Sequence, residues 1–211
     1  IKKEVIDLEK IKRVILCVFP MSICNFRCSY CYLSHRKESY QGKQPIMKYS
    51  PERVGEALNK ERLGGTCFFN FCADGETLLQ KDIVEYVYEV VKHGHYCEVV
   101  TNLTPTKVLE EMLSWDEEVL RRIEFKCSFH YLELKNRKML DVFASNVKKI
   151  WKAGASANIE ITPSDDFIEY IPEIKEFSMK HFGALPHLSI ARNDSDENIG
   201  YLTELTMEEY N

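Results

Sequence analysis

Three cysteines, Cys24, Cys28 and Cys31, stand at the spacing C-x3-C-x2-C inside the stretch Cys24-Asn25-Phe26-Arg27-Cys28-Ser29-Tyr30-Cys31. Each of three thiolates can hold one iron of a [4Fe–4S] cluster, for which cysteine is the usual ligand. A cubane has four irons, so one iron would lack a protein ligand and stand open to a small molecule. Two plainer readings compete with this one, a zinc knuckle and a set of buried thiols. Structural zinc takes four ligands, usually as two spaced pairs. His35 could be a fourth ligand, but no second pair lies nearby.

A second stretch, Phe71-Cys72-Ala73-Asp74-Gly75-Glu76-Thr77, puts two carboxylates around a glycine. Glycine lets a backbone come close. The plain alternative is a turn after a strand. Further on stand Thr101-Asn102, Ser128, His130 and Arg137. A lone Asn is more often a turn residue. A histidine near the site could position a substrate or move a proton, or be a satisfied structural side chain.

Together these motifs resemble the radical S-adenosylmethionine (SAM) superfamily, whose signature is C-x3-C-x-aromatic-C. Tyr30 fills the aromatic slot. The stretch at 73–77 looks like the family's Gly-Gly-Glu-Pro loop. Gly75 and Glu76 match, whereas Ala73 and Asp74 replace glycines and Thr77 replaces proline. Thr101-Asn102 is similar to the family's Thr-Asn-Gly, with Leu103 in place of the glycine.

The resemblance implies that Cys24, Cys28 and Cys31 ligate a [4Fe–4S] cluster and that Gly75 and Glu76 meet the ammonium of SAM. Asp74 would join them or face solvent. Asn102 would bond the ribose or line the substrate pocket. Ser128 and Arg137 resemble a pair that handles the SAM carboxylate in the peptide-maturase-like branch. The implied reaction is one-electron cleavage of SAM to a 5′-deoxyadenosyl radical, which abstracts hydrogen from a substrate. A flavodoxin- or ferredoxin-like donor would supply the electron. The resemblance leans toward a peptide or protein side chain as substrate, with a small molecule as the alternative. The rival class is non-catalytic, an iron–sulfur electron carrier or a zinc-binding module, and an electron carrier would normally close its cluster with a fourth cysteine.

These residues need a scaffold that brings them together. Residues 13–19 form an apolar run rich in β-branched side chains, which predicts a strand buried on both faces. Further strands are predicted at 66–71, 96–101, 123–129, 156–162 and 187–191. Helices are predicted at 51–63, 80–93, from Thr104-Pro105 onward, at 139–153 and at 167–182. Each chemical motif then follows the C-terminal end of a strand, where ligands sit in α/β folds. Six alternations argue for a parallel sheet with right-handed crossovers. They match the open, partial (β/α)6 TIM-type barrel of the superfamily, which covers nearly the whole chain.

The length of 211 residues fits a single domain. Thr206 and Glu209 form a capping box with almost no chain after it, so the reading is of a core domain truncated at its C-terminus. With 28 basic and 33 acidic residues, net charge −5, the balance argues against a nucleic-acid partner. No run is long and apolar enough to span a bilayer. Eight cysteines without a signal peptide point to a reducing, cytoplasmic setting. Cys17, Cys67, Cys97 and Cys127 lie within predicted strands and read as small buried hydrophobes, whereas Cys72 sits at a strand end near the site and is the one to test for a role.

Overall fold

In the computed structural model the described residues are 9–35, 40–193 and 200–210. Six parallel strands form an open sheet in sequential order: β1 (Val14–Phe19), β2 (Phe68–Ala73), β3 (Tyr96–Thr101), β4 (Ile123–Ser128), β5 (Ser156–Ile161) and β6 (His187–Leu188). Every neighbouring pair is parallel. This is the expected partial (β/α)6 barrel, and its strands all deliver their C-terminal ends to one rim.

The helices between strands follow the local signals with refinements. Ser50 caps the helix Pro51–Ala57, its hydroxyl accepting from the Arg53 amide at 3.3 Å. The expected single helix over 51–63 is two, because Asn59 caps a second turn, Lys60–Leu63, which Gly64 ends at φ 77°. Thr104 does not cap the helix that follows it, Thr106–Met112. Its hydroxyl is used elsewhere, as described below. The sixth strand is two residues long rather than the five anticipated.

The pleat gives the sheet two unlike faces. One face packs against the helices and carries Phe69, Phe71, Cys97, Val99, Phe125 and Cys127, all buried. Alternating with them along the strands stand residues of the lumen face, among them Asn70, Glu98, Lys126 and Glu160, of which Asn70 and Glu98 are register partners. Here the Asn70 amide bonds Glu98, and Lys126 pairs with Glu160 at 2.7 Å. The expectation that the first strand is buried on both faces fails. Val14 and Leu16 are each 69% exposed and Val18 56%, while Phe19 on the alternate face is buried. β1 is the edge of an open sheet, and among the described residues its lumen side is left exposed.

Of the remaining cysteines, Cys67, Cys97 and Cys127 are buried, while Cys17 and Cys72 are half-buried. At the C-terminal end the Thr206–Glu209 capping box forms. The Thr206 amide and hydroxyl donate to the Glu209 carboxylate at 2.7 and 2.9 Å. Among the described residues no helix is long and apolar enough to cross a membrane.

Candidate active site

The chain leaves β1 at Phe19 and continues the β1–β2 ladder past the strand ends. The amides of Asp74, Gly75 and Glu76 donate to the carbonyls of Phe19, Met21 and Ile23 at 3.3, 2.7 and 2.9 Å. The turn after β2 is thereby zipped to the segment leading into the cysteine loop. This close approach explains Gly75: a Cβ there would collide with the Ile23 carbonyl.

The cysteine loop is then tied to successive strand exits. Beyond β2, the Tyr32 hydroxyl donates to the Asp74 carbonyl at 3.0 Å and to its carboxylate at 3.3 Å. Beyond β3, a closed triangle forms. Asn25 donates to the Thr104 hydroxyl at 2.7 Å, Thr104 donates to the Asn102 side-chain oxygen at 2.7 Å, and the Asn102 amide returns to Asn25 at 2.8 Å. Beyond β4, the Tyr30 hydroxyl and His130 Nδ1 lie 2.6 Å apart. Beyond β5, Ser29 donates to Asp166 at 2.5 Å.

Cys24, Cys28 and Cys31 line one cavity of about 330 Å³ with Tyr30, Asp74, Gly75, Glu76, Asn102, Ser128 and His130. All three are free thiols. Burial pushes the Cys24 thiol up to about 11 and the Cys28 thiol higher still. Among the described residues no three His, Cys, Asp or Glu side chains converge on one metal-ion position. A cluster does not ask for such convergence, since each sulfur holds its own iron. The side chain of His35, the candidate fourth zinc ligand, lies outside what is described.

Glu76 is buried and fully engaged. One carboxylate oxygen accepts from the Thr101 hydroxyl at 2.6 Å and the Leu78 amide at 3.0 Å, and the other from the Asn102 amide at 2.7 Å. Burial raises its pKa, and these donors oppose the shift. Glu76 therefore braces the β2 exit against the β3 exit, and Asp74 is the half-buried carboxylate of the turn. Asn102 is likewise committed to its triangle. His130 is held neutral by burial, with its pKa lowered to about 4.

Arg137 is the one sequence-predicted residue that does not line the cavity. It pairs with Glu133 at 2.7 Å, one helical turn back, and lies over the Phe26 ring at 5.3 Å. Sequence reasoning missed Asn25, Ser29, Tyr32 and Thr104. Their one signal is polarity inside or beside the motifs.

A sequence profile of the radical SAM superfamily matches residues 18–130, just over half of the chain. No curated protein matches it. Among solved structures, native anSMEcpe with bound AdoMet and Cp18Cys peptide is similar at 15% identity and TM-score 0.61, covering 86% of this chain and 51% of that one. Streptococcus suis SuiB bound to precursor peptide SuiA is similar at 15% identity and TM-score 0.55, covering 82% and 38%. SuiB bound to S-adenosylmethionine gives 15%, 0.53, 81% and 38%. These likenesses show a shared fold, and the chain spans about 38% to 51% of the length of those proteins.

Proposed function

The chain belongs to the radical SAM superfamily, and from that premise we propose an enzyme that cleaves SAM reductively at a [4Fe–4S] cluster held by Cys24, Cys28 and Cys31. The carrying observation is one cavity that these cysteines share with the Gly75–Glu76 turn, with the loop tied to four successive strand exits. With SAM bound, the cluster supplies one electron and the cofactor a carbon radical that abstracts hydrogen from substrate.

The chain's own residues bind and position. The cysteine thiols give up their protons on loading, since iron takes thiolates. Gly75 lets the turn backbone approach. Asp74 offers the ammonium of SAM a carboxylate, and Glu76 holds the turn in register with the β3 exit. Ser128 and Asn102 face the cavity as polar contacts for the rest of SAM. Arg137, paired with Glu133 outside the cavity, takes no part in this assignment.

A peptide or protein side chain is the favoured substrate class. Support comes from the likeness to SuiB, solved with the precursor peptide SuiA, and to anSMEcpe, solved with a Cp18Cys peptide. A flavodoxin- or ferredoxin-like protein is the proposed electron donor. The rival reading as an electron carrier asks for a fourth cysteine, and among the described residues only three line this cavity.

Anaerobic reconstitution with iron and sulfide, followed by SAM and dithionite, should yield methionine and 5′-deoxyadenosine. A bound cluster without 5′-deoxyadenosine would favour the electron carrier, and stoichiometric zinc without a cluster would favour the zinc module. Peptides encoded beside the gene should raise the 5′-deoxyadenosine yield if the substrate assignment holds. Sugars or nucleotides doing so instead would overturn it.

A further inference from the structure

We propose that Asn102 meets the carboxylate of SAM as a hydrogen-bond donor, and that Thr104 is the positioning residue that leaves Asn102 nothing else to offer. This rests on the cluster and SAM reading above.

Thr104 closes a cycle of hydrogen bonds with Asn25 and Asn102, and one backbone group sets the direction of them all. The Thr104 amide can only donate, and its acceptor is Asn102 Oδ1 at 3.1 Å. The other end of the Asn102 side chain, Nδ2, therefore faces Asn25 and donates to its Oδ1 at 2.8 Å. Asn25 is left to give an N–H to the Thr104 hydroxyl oxygen at 2.7 Å. The hydroxyl proton goes on to Asn102 Oδ1 at 2.7 Å.

A side-chain amide has two lone pairs on oxygen and two protons on nitrogen. Thr104 takes both lone pairs of Asn102, and Asn25 takes one proton. One N–H remains. Asn102 lines the cavity, whereas Thr104 and Asn25 do not. Asn102 and Thr104 are both buried, which keeps water from competing for these bonds. Asn102 thus gives this wall of the cavity a donor and no acceptor.

The charges around the cavity decide which part of SAM takes that donor. Among the described residues its lining holds two carboxylates, Asp74 and Glu76, and no Lys or Arg. Arg137, the cation that the sequence offered for the SAM carboxylate, is paired with Glu133 away from the cavity. The carboxylate must then be met by neutral donors, since a charge taken out of water without partners is costly. The ammonium and carboxylate of SAM share one carbon, so the carboxylate falls beside the Gly75–Glu76 turn. Asn102 adjoins that turn, its backbone amide donating to Glu76 at 2.7 Å. Ser128 also lines the cavity, but a hydroxyl can accept as well as donate. Asn102 is fixed as a donor, which suits a carboxylate and turns away an ammonium.

The test is calorimetric binding of SAM, and of decarboxylated SAM, to the anaerobically reconstituted 211-residue chain. Decarboxylated SAM keeps the ammonium and the ribose. Iron content is measured first for each protein. Asn102→Asp keeps the shape and puts an acceptor where the N–H stood. It should weaken SAM binding about tenfold or more, as for any lost hydrogen bond to a charged group, and leave decarboxylated SAM nearly unaffected. Thr104→Val should weaken SAM about 2- to 10-fold, and Thr104→Ser should restore most of the affinity. Equal losses for both ligands in Asn102→Asp would put the ribose or a merely structural role at Asn102 and overturn the carboxylate assignment. Parental SAM affinity in Thr104→Val, or no recovery in Thr104→Ser, overturns the role of Thr104. The two positions probe one contact from either end, so a variant that takes up no iron leaves the other to decide. Loss of iron uptake in both overturns the proposal, because a contact to SAM does not hold the cluster. A parent chain that takes up no cluster, or takes it up and binds no SAM, overturns the proposed function as well.

Discussion

The two faces of the same six strands are built for opposite purposes. The helix-packed face is a largely apolar layer, with Phe69, Phe125 and Cys127 inaccessible to solvent. One residue along each strand, the lumen face carries Asn70, Glu98, Lys126 and Glu160, and at the β1 edge the exposed Val14, Leu16 and Val18. The first face supplies the hydrophobic stabilisation that holds the strands in register. The second is left partly wet below the rim where the cavity opens. The fold places its stability on one side of a pleat and its chemistry on and above the other.

Substitutions on adjacent residues should separate the faces. Phe125→Ala empties a site buried among Phe69-type neighbours on the helix side and should cost about 3–5 kcal/mol in denaturant unfolding. A cost no larger than that of Lys126→Ala, one residue away on the lumen side, would break the comparison. At the rim, Gly75→Ala drives a Cβ into the Ile23 carbonyl. It should cost about 1–3 kcal/mol and sharply lower iron uptake on reconstitution. Parental iron content in that variant would show that the zipped turn is dispensable.

On the lumen face, burial raises the pKa of Glu98 above its ordinary 4.5. A carboxyl whose folded-state pKa is raised contributes most below the unfolded value, and that contribution is lost as pH rises through the folded value. Glu98→Gln should therefore stabilise the chain at neutral pH, by less than about 1 kcal/mol because solvent screens the site. The gain should vanish as pH falls below about 4.5, where the parent carboxyl is neutral in both states. A gain that persists or grows in acid would contradict the sign. The smallest effect is expected at the exposed edge, where Leu16→Ala should change stability by no more than about 0.5 kcal/mol. A loss comparable to that of Phe125→Ala would mean that the lumen side of β1 is covered in solution.

The parts legible in the sequence were those where a residue type is itself the chemistry. Cys24, Cys28 and Cys31 stood out because only thiolates at a fixed spacing could do what is expected of them, and all three line one cavity. Gly75 was found because a close backbone approach excludes a side chain. The alternation of apolar runs and helical periods gave the parallel sheet. What escaped depended on partners distant in sequence. Asn25 and Thr104 are unremarkable polar residues until the β3 exit is folded against the cysteine loop, where they close a triangle with Asn102. Arg137 pairs with a carboxylate one turn away, Glu133, a partner its sequence spacing also offered. The apolar run of β1 carries no mark of its position at a sheet edge, so its exposure was invisible.

The most direct test of the central claim is the iron content of the anaerobically reconstituted chain, with and without its three cysteine ligands. The account predicts about four irons per chain in the parent, and essentially none when Cys24, Cys28 and Cys31 are all replaced by alanine. Retention of about four irons in the triple variant would contradict it, because the cluster would then be held by residues other than those on which the cavity is built.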